Sequence, residues 1–195
     1  MNYSIIGAGN VGSALARQFA RNGIAAAIAN TRGPGSMAAL TQELGGTIKA
    51  VSLHEALKAD VIILAVPYLA HPSVAAAAPD WTGKIVIDAM NTYGVPPEVL
   101  KGRASSDVVA EAFPGAKVVK TFNQLPAKLL AKDPVESGGH RVMFVSSDDE
   151  AAALSVAGLV ERLGFAPIQL GSISAGGDLL RKGGPLVLQN LIKQA

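Results

Sequence analysis

Residues 3–15 of the chain are YSIIGAGNVGSAL, which contain an apolar run, three closely spaced glycines and the start of a second apolar pattern. Tyr3–Ile6 is an apolar run typical of a strand, and the residues after it carry apolar side chains at helical spacing. Gly7, Gly9 and Gly12 stand between the two patterns in a G-x-G-x-x-G arrangement. The stretch therefore predicts a strand, a tight glycine turn and a helix near the start of the chain.

Each glycine of this turn has a physical reason. Gly7 permits the tight turn, Gly9 lets a pyrophosphate approach the backbone, and Gly12 lets the helix pack on the strand. Together with Asn10 and Val11 they begin a helix whose free N–H groups and positive dipole end attract phosphate. The five residues predict a dinucleotide-binding site; the alternative is a glycine-rich turn that binds nothing.

Apolar runs and amphipathic helical segments alternate along most of the remaining chain. The other predicted strands comprise residues 24–29, 48–51, 61–66, 85–89, 117–122, 141–146 and 166–170. The predicted helices comprise residues 11–21, 36–44, 52–58, 70–78, 106–113, 125–132, 147–163 and 174–195. Ser52 and Ser147 each open a capping-box pattern. The alternation predicts an α/β fold of the Rossmann type with a doubly wound, mainly parallel sheet. We expect residues 1–125 to be the nucleotide-binding domain and residues 126–195 a small helical or α/β extension packed on the same sheet.

Composition narrows the classes of function. The 195 residues are 49% hydrophobic but only 5% aromatic, which suits a parallel sheet buried between helices. A net charge of +2 without a basic block argues against a nucleic-acid partner. The absence of cysteine excludes disulfides and thiolate chemistry. Residues 1–4 carry no positive charge typical of a signal peptide, and no apolar run reaches the roughly 18 residues of a membrane span. We expect a cytoplasmic protein with small-molecule ligands.

The end of the second predicted strand indicates which dinucleotide is bound. An NAD site usually has an acidic residue there for the ribose 2′-hydroxyl, but this chain has Asn30, Thr31 and Arg32. A guanidinium can hold a phosphate through two parallel hydrogen bonds, and Thr31 and Ser36 can add hydroxyl donors. We expect NADP(H), with a solvated loop arginine as the alternative.

Later strands supply further candidates, because ligands of open α/β sheets lie at the carboxyl ends of the strands. Ala65, Val66 and Pro67 close the predicted strand at 61–66, and Pro67 can turn the backbone under a nicotinamide ring. His71 follows one short turn later and is a candidate cofactor contact, with a purely structural histidine as the alternative.

The next predicted strand closes with Ala89, Met90 and Asn91, and another is followed by Asn123. The asparagine amides can bond a carboxamide or a substrate, although asparagine also forms turns after strands. Neither a metal-binding cluster nor a nucleophile with its base can be recognised, so no residue is assigned a catalytic role. Hydride transfer between two cofactors suits such a site, because it needs orientation more than proton chemistry.

Several stretches resemble one known family. The matching stretches are IIGAGNVGSALA, NTRG, VIILAVPYLAH, IVIDAMN and VVKTFNQLPA. They resemble the coenzyme F420-dependent NADP oxidoreductases, which transfer hydride between NADPH and a deazaflavin. The likeness covers roughly the first two thirds of the chain.

This resemblance implies an NADPH site and a second pocket. It places NADPH at Gly9, Asn10, Val11, Gly12, Thr31 and Arg32. It places the nicotinamide near Val66, Pro67, Ala89 and Asn91. It further implies an 8-hydroxy-5-deazaflavin or flavin acceptor stacked on that ring, and a homodimer. Residues 172–178 depart from the family because they are glycine-rich where acceptor-binding side chains are expected. The alternatives are therefore an NADPH reductase of flavin, quinone or ferric complexes, and a non-catalytic NADP-binding redox sensor.

Overall fold

The sheet dominates the computed structural model, which describes residues 1–194. Its strands in these residues are β1 (Tyr3–Ile6), β2 (Ala26–Ala29), β3 (Ile48–Ala50), β4 (Val61–Leu64), β5 (Ile85–Asp88), β6 (Lys117–Lys120), β7 (Val135–Glu136), β8 (Gly139–Ser147), β9 (Ala166–Gln169) and β10 (Ile192–Gln194). The helices are α1 (Asn10–Arg21), α2 (Ala38–Leu44), α3 (Leu53–Ala56), α4 (His71–Ala75), α5 (Pro97–Leu100), α6 (Ser105–Ala112), α7 (Ala127–Leu130) and α8 (Glu150–Arg162).

Six strands are parallel and follow the order β3-β2-β1-β4-β5-β6. The chain moves outward from β1 in one direction and then returns to start again at β4. The prediction of a doubly wound, mainly parallel Rossmann-type sheet is confirmed. Because the winding direction reverses between β1 and β4, a crevice opens at the carboxyl ends of these two strands, where ligands of such sheets bind.

The later part of the chain extends this sheet beyond β6. The end of β8 pairs antiparallel with β6, in the register Val119 to Ser147 and Lys120 to Ser146. The middle of β8 pairs parallel with β9, and its start pairs antiparallel with β10 and β7. The division of the chain at residue 125 stays a prediction.

Two apolar layers cover the parallel sheet. Successive strand side chains point to opposite faces, so Ile5 of β1 joins one layer and Ile6 the other. The first layer contains Phe19 of α1 together with apolar residues of α8. The second contains Trp81 and Phe113, whose rings meet edge to face with centroids 4.6 Å apart. Burying an aromatic side chain of this size contributes about 1.5–3 kcal/mol, so both layers hold the strand ends in place.

The predicted helix from Ser174 to the end of the chain is wrong in the described residues, which exclude Ala195. A π-helical turn covers Ile173–Gly177, and helical structure does not continue beyond Leu179. Gly183 has a φ of +77° and Pro185 follows closely, so the backbone leaves the helical path. Turns then lead to the edge strand β10.

The two predicted capping boxes have different outcomes. Ser52 caps α3, because its hydroxyl accepts a hydrogen bond of 3.2 Å from the N–H of Glu55. The prediction at Ser147 is wrong, since this residue ends β8. Asp149 caps α8 instead, and its carboxylate accepts a 2.8 Å bond from the N–H of Ala152. Aspartate and serine are about equally good N-cap residues. Ser147 is paired in β8, so Asp149 is the residue left to cap the helix.

No helix within residues 1–194 is long and apolar enough to cross a bilayer.

Candidate functional site

The glycine turn between β1 and α1 leaves no room for side chains at two of its positions. Gly7 has a φ of +108°, and a Cβ there would lie 2.2 Å from the carbonyl oxygen of Ala65. A Cβ at Gly12 would lie 1.8 Å from the carbonyl oxygen of Gly7. A Cβ at Gly9, in contrast, would meet no atom within 4 Å. Gly7 and Gly12 are therefore needed for packing, whereas Gly9 faces open space.

The first turn of α1 is free to receive an anion. Gly9 is the N-cap residue, it has no side chain to cap the helix, and the first turn contains no acidic residue. The first N–H groups of a helix have no partner inside the helix, and the helix dipole adds partial positive charge there. The arrangement is that of a phosphate-binding helix N-terminus.

A cavity of about 510 Å³ lies directly in front of this helix end. We call it the nucleotide cavity. It is lined by Ile6, Gly7, Ala8, Gly9, Asn30, Thr31, Arg32, Leu53, Ala65, Val66, Pro67, Ala70, Ser73 and Val74. The lining unites the glycine turn with the carboxyl ends of β2 and β4. Arg32 supplies the one formal charge of this lining, so the cavity favours an anionic ligand.

The turn that carries Arg32 is held by its own side chains. The Asn30 carboxamide accepts a 2.9 Å bond from the N–H of Arg32. The Ser36 hydroxyl donates to the carbonyl of Gly33 at 2.7 Å and also contacts Asn30. Ser36 does not line the nucleotide cavity. Arg32 is exposed and makes no ion pair within residues 1–194, so its guanidinium is available to a ligand.

A second cavity, of about 280 Å³, shares the Ala65 and Val66 wall with the first. We call it the acceptor cavity. It is lined by Val11, Ala65, Val66, Ala89, Met90, Asn91, Tyr93, Asn123, Leu125, Pro126, Ala127 and Leu188. The expected contribution of residues 172–178 to this pocket is not observed in the structure. The acceptor-side lining comes instead from the loop after β6 and from Leu188.

Two asparagines join the strand ends at the acceptor cavity. The Asn91 side-chain N–H donates to the carbonyl of Asn123 at 2.8 Å, and the Asn123 side chain donates back to Asn91 at 3.0 Å. Asn123 also donates to the carbonyl of Leu180 at 2.7 Å. Its own side-chain oxygen is buried and has no donor in residues 1–194. A buried acceptor without a partner is costly, so the other hydrogen bonds of Asn123 must hold its side chain in this position.

A buried ion pair supports the β5 end of the site. Lys120 and Asp88 are almost fully buried and lie 3.1 Å apart. The Asp88 carboxylate also accepts a 2.7 Å bond from the Ser106 hydroxyl, and Lys120 donates to the carbonyl of Met90 at 2.5 Å. Lys120 thereby fixes the loop that lines the acceptor cavity. This network was not predicted from the sequence, because its members lie on separate elements.

Lys120→Met is expected to destabilise the protein by about 3 kcal/mol. The substitution leaves the Asp88 carboxylate buried without its cation, which costs more than the pair itself is worth. Urea unfolding followed by circular dichroism measures the change. Lys117→Met is the matched control, because Lys117 lies on the same strand with a side chain 45% exposed. Equal stability of the two variants would contradict this role for Lys120.

His71 lines neither of the two cavities. Its ring is buried against Tyr68 and Phe113, and its Nδ1 lies 2.6 Å from the carbonyl of Tyr68. The Tyr68 hydroxyl donates to the carbonyl of Ser105 at 2.8 Å. Burial, reinforced by Asp88, raises the pKa of Tyr68 well above its ordinary value, so its hydroxyl stays protonated. Both rings belong to the core in this structure.

The remaining candidates lie around the two cavities. Asn10 and Gly12 are in the first turn of α1 but line neither cavity. Ser73 also lines the nucleotide cavity, although no sequence motif predicts this role for it. Its position in α4, the helix that follows the carboxyl end of β4, is the feature that could have indicated this role. Within residues 1–194 no group of three or more His, Cys, Asp or Glu side chains could hold a metal.

Comparisons with known proteins agree with this geometry. Residues 2–92 match the family model described as NADP oxidoreductase coenzyme F420-dependent. The crystal structure of a hypothetical protein from Sinorhizobium meliloti is 48% identical with a TM-score of 0.96, and the match covers 100% of this chain and 96% of that chain. An Arthrobacter sp. FB24 protein, provisionally named an F420-dependent NADP reductase, is 28% identical with a TM-score of 0.74, covering 92% of this chain and 90% of that one.

A curated relative is much longer than this chain. The metalloreductase STEAP3 of Rattus norvegicus is 27% identical over 177 residues, which are 90% of this chain and 35% of the metalloreductase. The chain thus spans about a third of the length of that relative.

The parallel sheet and the glycine turn define a dinucleotide-binding fold of the Rossmann type, and these matches show its likeness to NADP-dependent oxidoreductases. More particularly, the nucleotide-binding region is similar to the coenzyme F420-dependent NADP oxidoreductases, whose model matches residues 2–92, a little under half of the chain.

Proposed function

We propose that the protein transfers a hydride between NADPH and a flat, conjugated acceptor, with the deazaflavin coenzyme F420 as the first candidate. The observation that carries the proposal is the shared Ala65 and Val66 wall of the two cavities. A nucleotide held by the glycine turn and Arg32 would direct its nicotinamide toward this wall. An acceptor in the second cavity would then meet the nicotinamide there.

The nucleotide cavity fits NADPH in shape and charge. The open face of Gly9 leaves room for a pyrophosphate, which the N–H groups of the first α1 turn would bind. The guanidinium of Arg32 and the hydroxyl of Thr31 would hold the 2′-phosphate, and Ser36 would keep their turn in shape. NADPH supplies the hydride when bound.

At the strand ends the chain would hold and orient the nicotinamide. The proposed contacts are Ala65, Val66, Pro67, Ala89, Met90 and Asn91. His71 is left out of this set, because its ring is buried in the core.

The acceptor cavity provides little proton chemistry. Its described lining contains no carboxylate, lysine or histidine, and Tyr93 is its one titratable residue. Reduction of a carbonyl or imine needs a proton donor positioned at the reacting atom. Transfer between two hydride carriers needs the reacting carbons brought together and water excluded, and a lining without charged groups suits this kind of reaction.

One second candidate is supported by a specific observation. The rat metalloreductase matches 90% of this chain, which favours NADPH-dependent reduction of a metal complex, for example a ferric complex. The non-enzymatic alternative is a redox sensor that binds NADP(H) without catalysing a reaction. Cytoplasmic location and a homodimer stay predictions.

The acceptor is tested by mixing the purified protein with NADPH and, in turn, coenzyme F420, FMN, a quinone or ferric citrate. The rate of NADPH oxidation is then measured as the decrease in NADPH absorbance. Turnover with the deazaflavin well above that with the other acceptors is the expected result. Preference for FMN with ferric citrate would favour the metalloreductase alternative, and tight NADPH binding without any turnover would favour the sensor.

Arg32→Ala is expected to weaken NADPH binding by about 1.5–3 kcal/mol, the value of a hydrogen bond to a charged group. NADH binding should change little, because NADH lacks the 2′-phosphate. Calorimetric titration with both nucleotides measures the difference. Arg17→Ala is the control, since Arg17 is a partly exposed arginine of α1 paired with Glu43. Equal loss of both nucleotides in Arg32→Ala would remove Arg32 from the phosphate site.

A further inference from the structure

A third cavity, of about 450 Å³, lies between the loop after β5, the start of α6 and residues 178–182. We call it the basic cavity. Its charged lining residues are Arg103, Asp178, Arg181 and Lys182. The lining therefore carries three positive charges and one negative charge, in contrast to the acceptor cavity, which carries none.

The cations of the basic cavity are only weakly neutralised. Arg181 pairs with Asp178 at 2.8 Å, but the two side chains are 59% and 53% exposed. Arg103 pairs with Glu111, which is outside the lining and 64% exposed. Lys182 makes no salt bridge in the described chain. Exposed pairs of this kind are weak, so an incoming dianion can compete with both carboxylates.

Several contacts place the basic cavity beside the acceptor cavity. Tyr93 lines the acceptor cavity, while its neighbour Thr92 lines the basic one. The Lys182 ammonium lies 5.7 Å from the centroid of the Tyr93 ring. The carbonyl of Leu180 accepts the 2.7 Å bond from Asn123, a residue of the acceptor cavity. The two cavities are therefore neighbours, with Tyr93 and Lys182 between them.

The start of α6 also lines the basic cavity, through Ala104, its N-cap residue, and Ser105. Free N–H groups at a helix start favour a phosphate, but the first turn of α6 also carries the carboxylate of Asp107, which offsets part of this attraction. The positive potential of the cavity therefore comes mainly from its three cationic side chains.

We propose that the basic cavity binds a phosphate group on the tail of the hydride acceptor, while the planar ring occupies the acceptor cavity. This inference rests on the proposed function and deepens it, since it limits the acceptor to phosphorylated molecules. The apolar cavity orients the ring, and Arg103, Arg181 and Lys182 select the charged tail. Neutral acceptors gain nothing from these cations.

FMN and riboflavin test the proposal, because they have the same ring and differ by one phosphate. Their binding is followed by flavin fluorescence with NADP⁺ at saturation, so that the nucleotide cavity is filled. The protein is expected to bind FMN about tenfold more tightly than riboflavin, as for one charge-assisted contact. The variant with both Arg181→Gln and Lys182→Gln should lose that preference and bind riboflavin unchanged. Lys58→Gln is the control, because it removes an exposed positive charge just before β4, and this variant should keep the preference for FMN.

Equal affinity for the two flavins, absence of FMN binding, or an FMN preference that survives in the double variant would each overturn the proposal. Calorimetric titration of the same samples with NADPH keeps the two hypotheses apart. Loss of NADPH binding contradicts the proposed function, whereas intact NADPH binding with no preference for FMN contradicts only the phosphate site.

Discussion

Gly9→Ala is expected to leave the protein folded and to weaken NADPH binding by at least about a hundredfold. Gly9 has φ −80° and ψ −165°, which alanine adopts without strain, and its Cβ would meet no protein atom within 4 Å. The added methyl would instead occupy the space through which a pyrophosphate approaches the backbone. Calorimetric titration measures the affinity, and thermal unfolding shows that the fold is intact.

Gly158→Ala is the matched control for this experiment. Gly158 lies inside α8, away from both cavities, and a Cβ there would also meet no atom within 4 Å. Alanine in a helix interior is favoured over glycine by roughly 0.5–1 kcal/mol, so this variant should gain stability and bind NADPH normally. NADPH binding by Gly9→Ala at the wild-type level would show that the open face of the turn does not receive the pyrophosphate.

Gly12→Ala is expected to destabilise the fold by more than about 4 kcal/mol, because its Cβ would lie 1.8 Å from the carbonyl oxygen of Gly7. The obstacle is backbone and cannot rotate away, so α1 would have to move off the β1 turn. Urea unfolding of Gly12→Ala beside Gly9→Ala gives the comparison. Similar stabilities of these two variants would contradict the difference in packing between the two glycines.

The nucleotide-binding part of the molecule could be predicted from the sequence because its signals are local. The strand, turn and helix around Gly7 follow each other without interruption, and each residue type has a steric reason. Arg32 could be located by its spacing from that turn. The structure places it in the lining of the nucleotide cavity.

Other features depend on contacts between distant residues, which the sequence does not display. Asp88 and Lys120 are 32 positions apart and meet only because β5 and β6 pair. His71 is close to Pro67 in sequence, but its ring turns into the core beside Phe113. The C-terminal leucines have helical spacing, yet glycine and proline near residue 184 break the helix and leave Leu188 exposed.

We expect the nucleotide cavity to hold NADPH by its 2′-phosphate. Calorimetric titration of the unmodified protein with NADPH and then NADH tests it most directly. NADPH should bind at least about tenfold more tightly than NADH, because Arg32 contributes a charged hydrogen bond to the 2′-phosphate. Equal affinities, or no binding of either nucleotide, would contradict it.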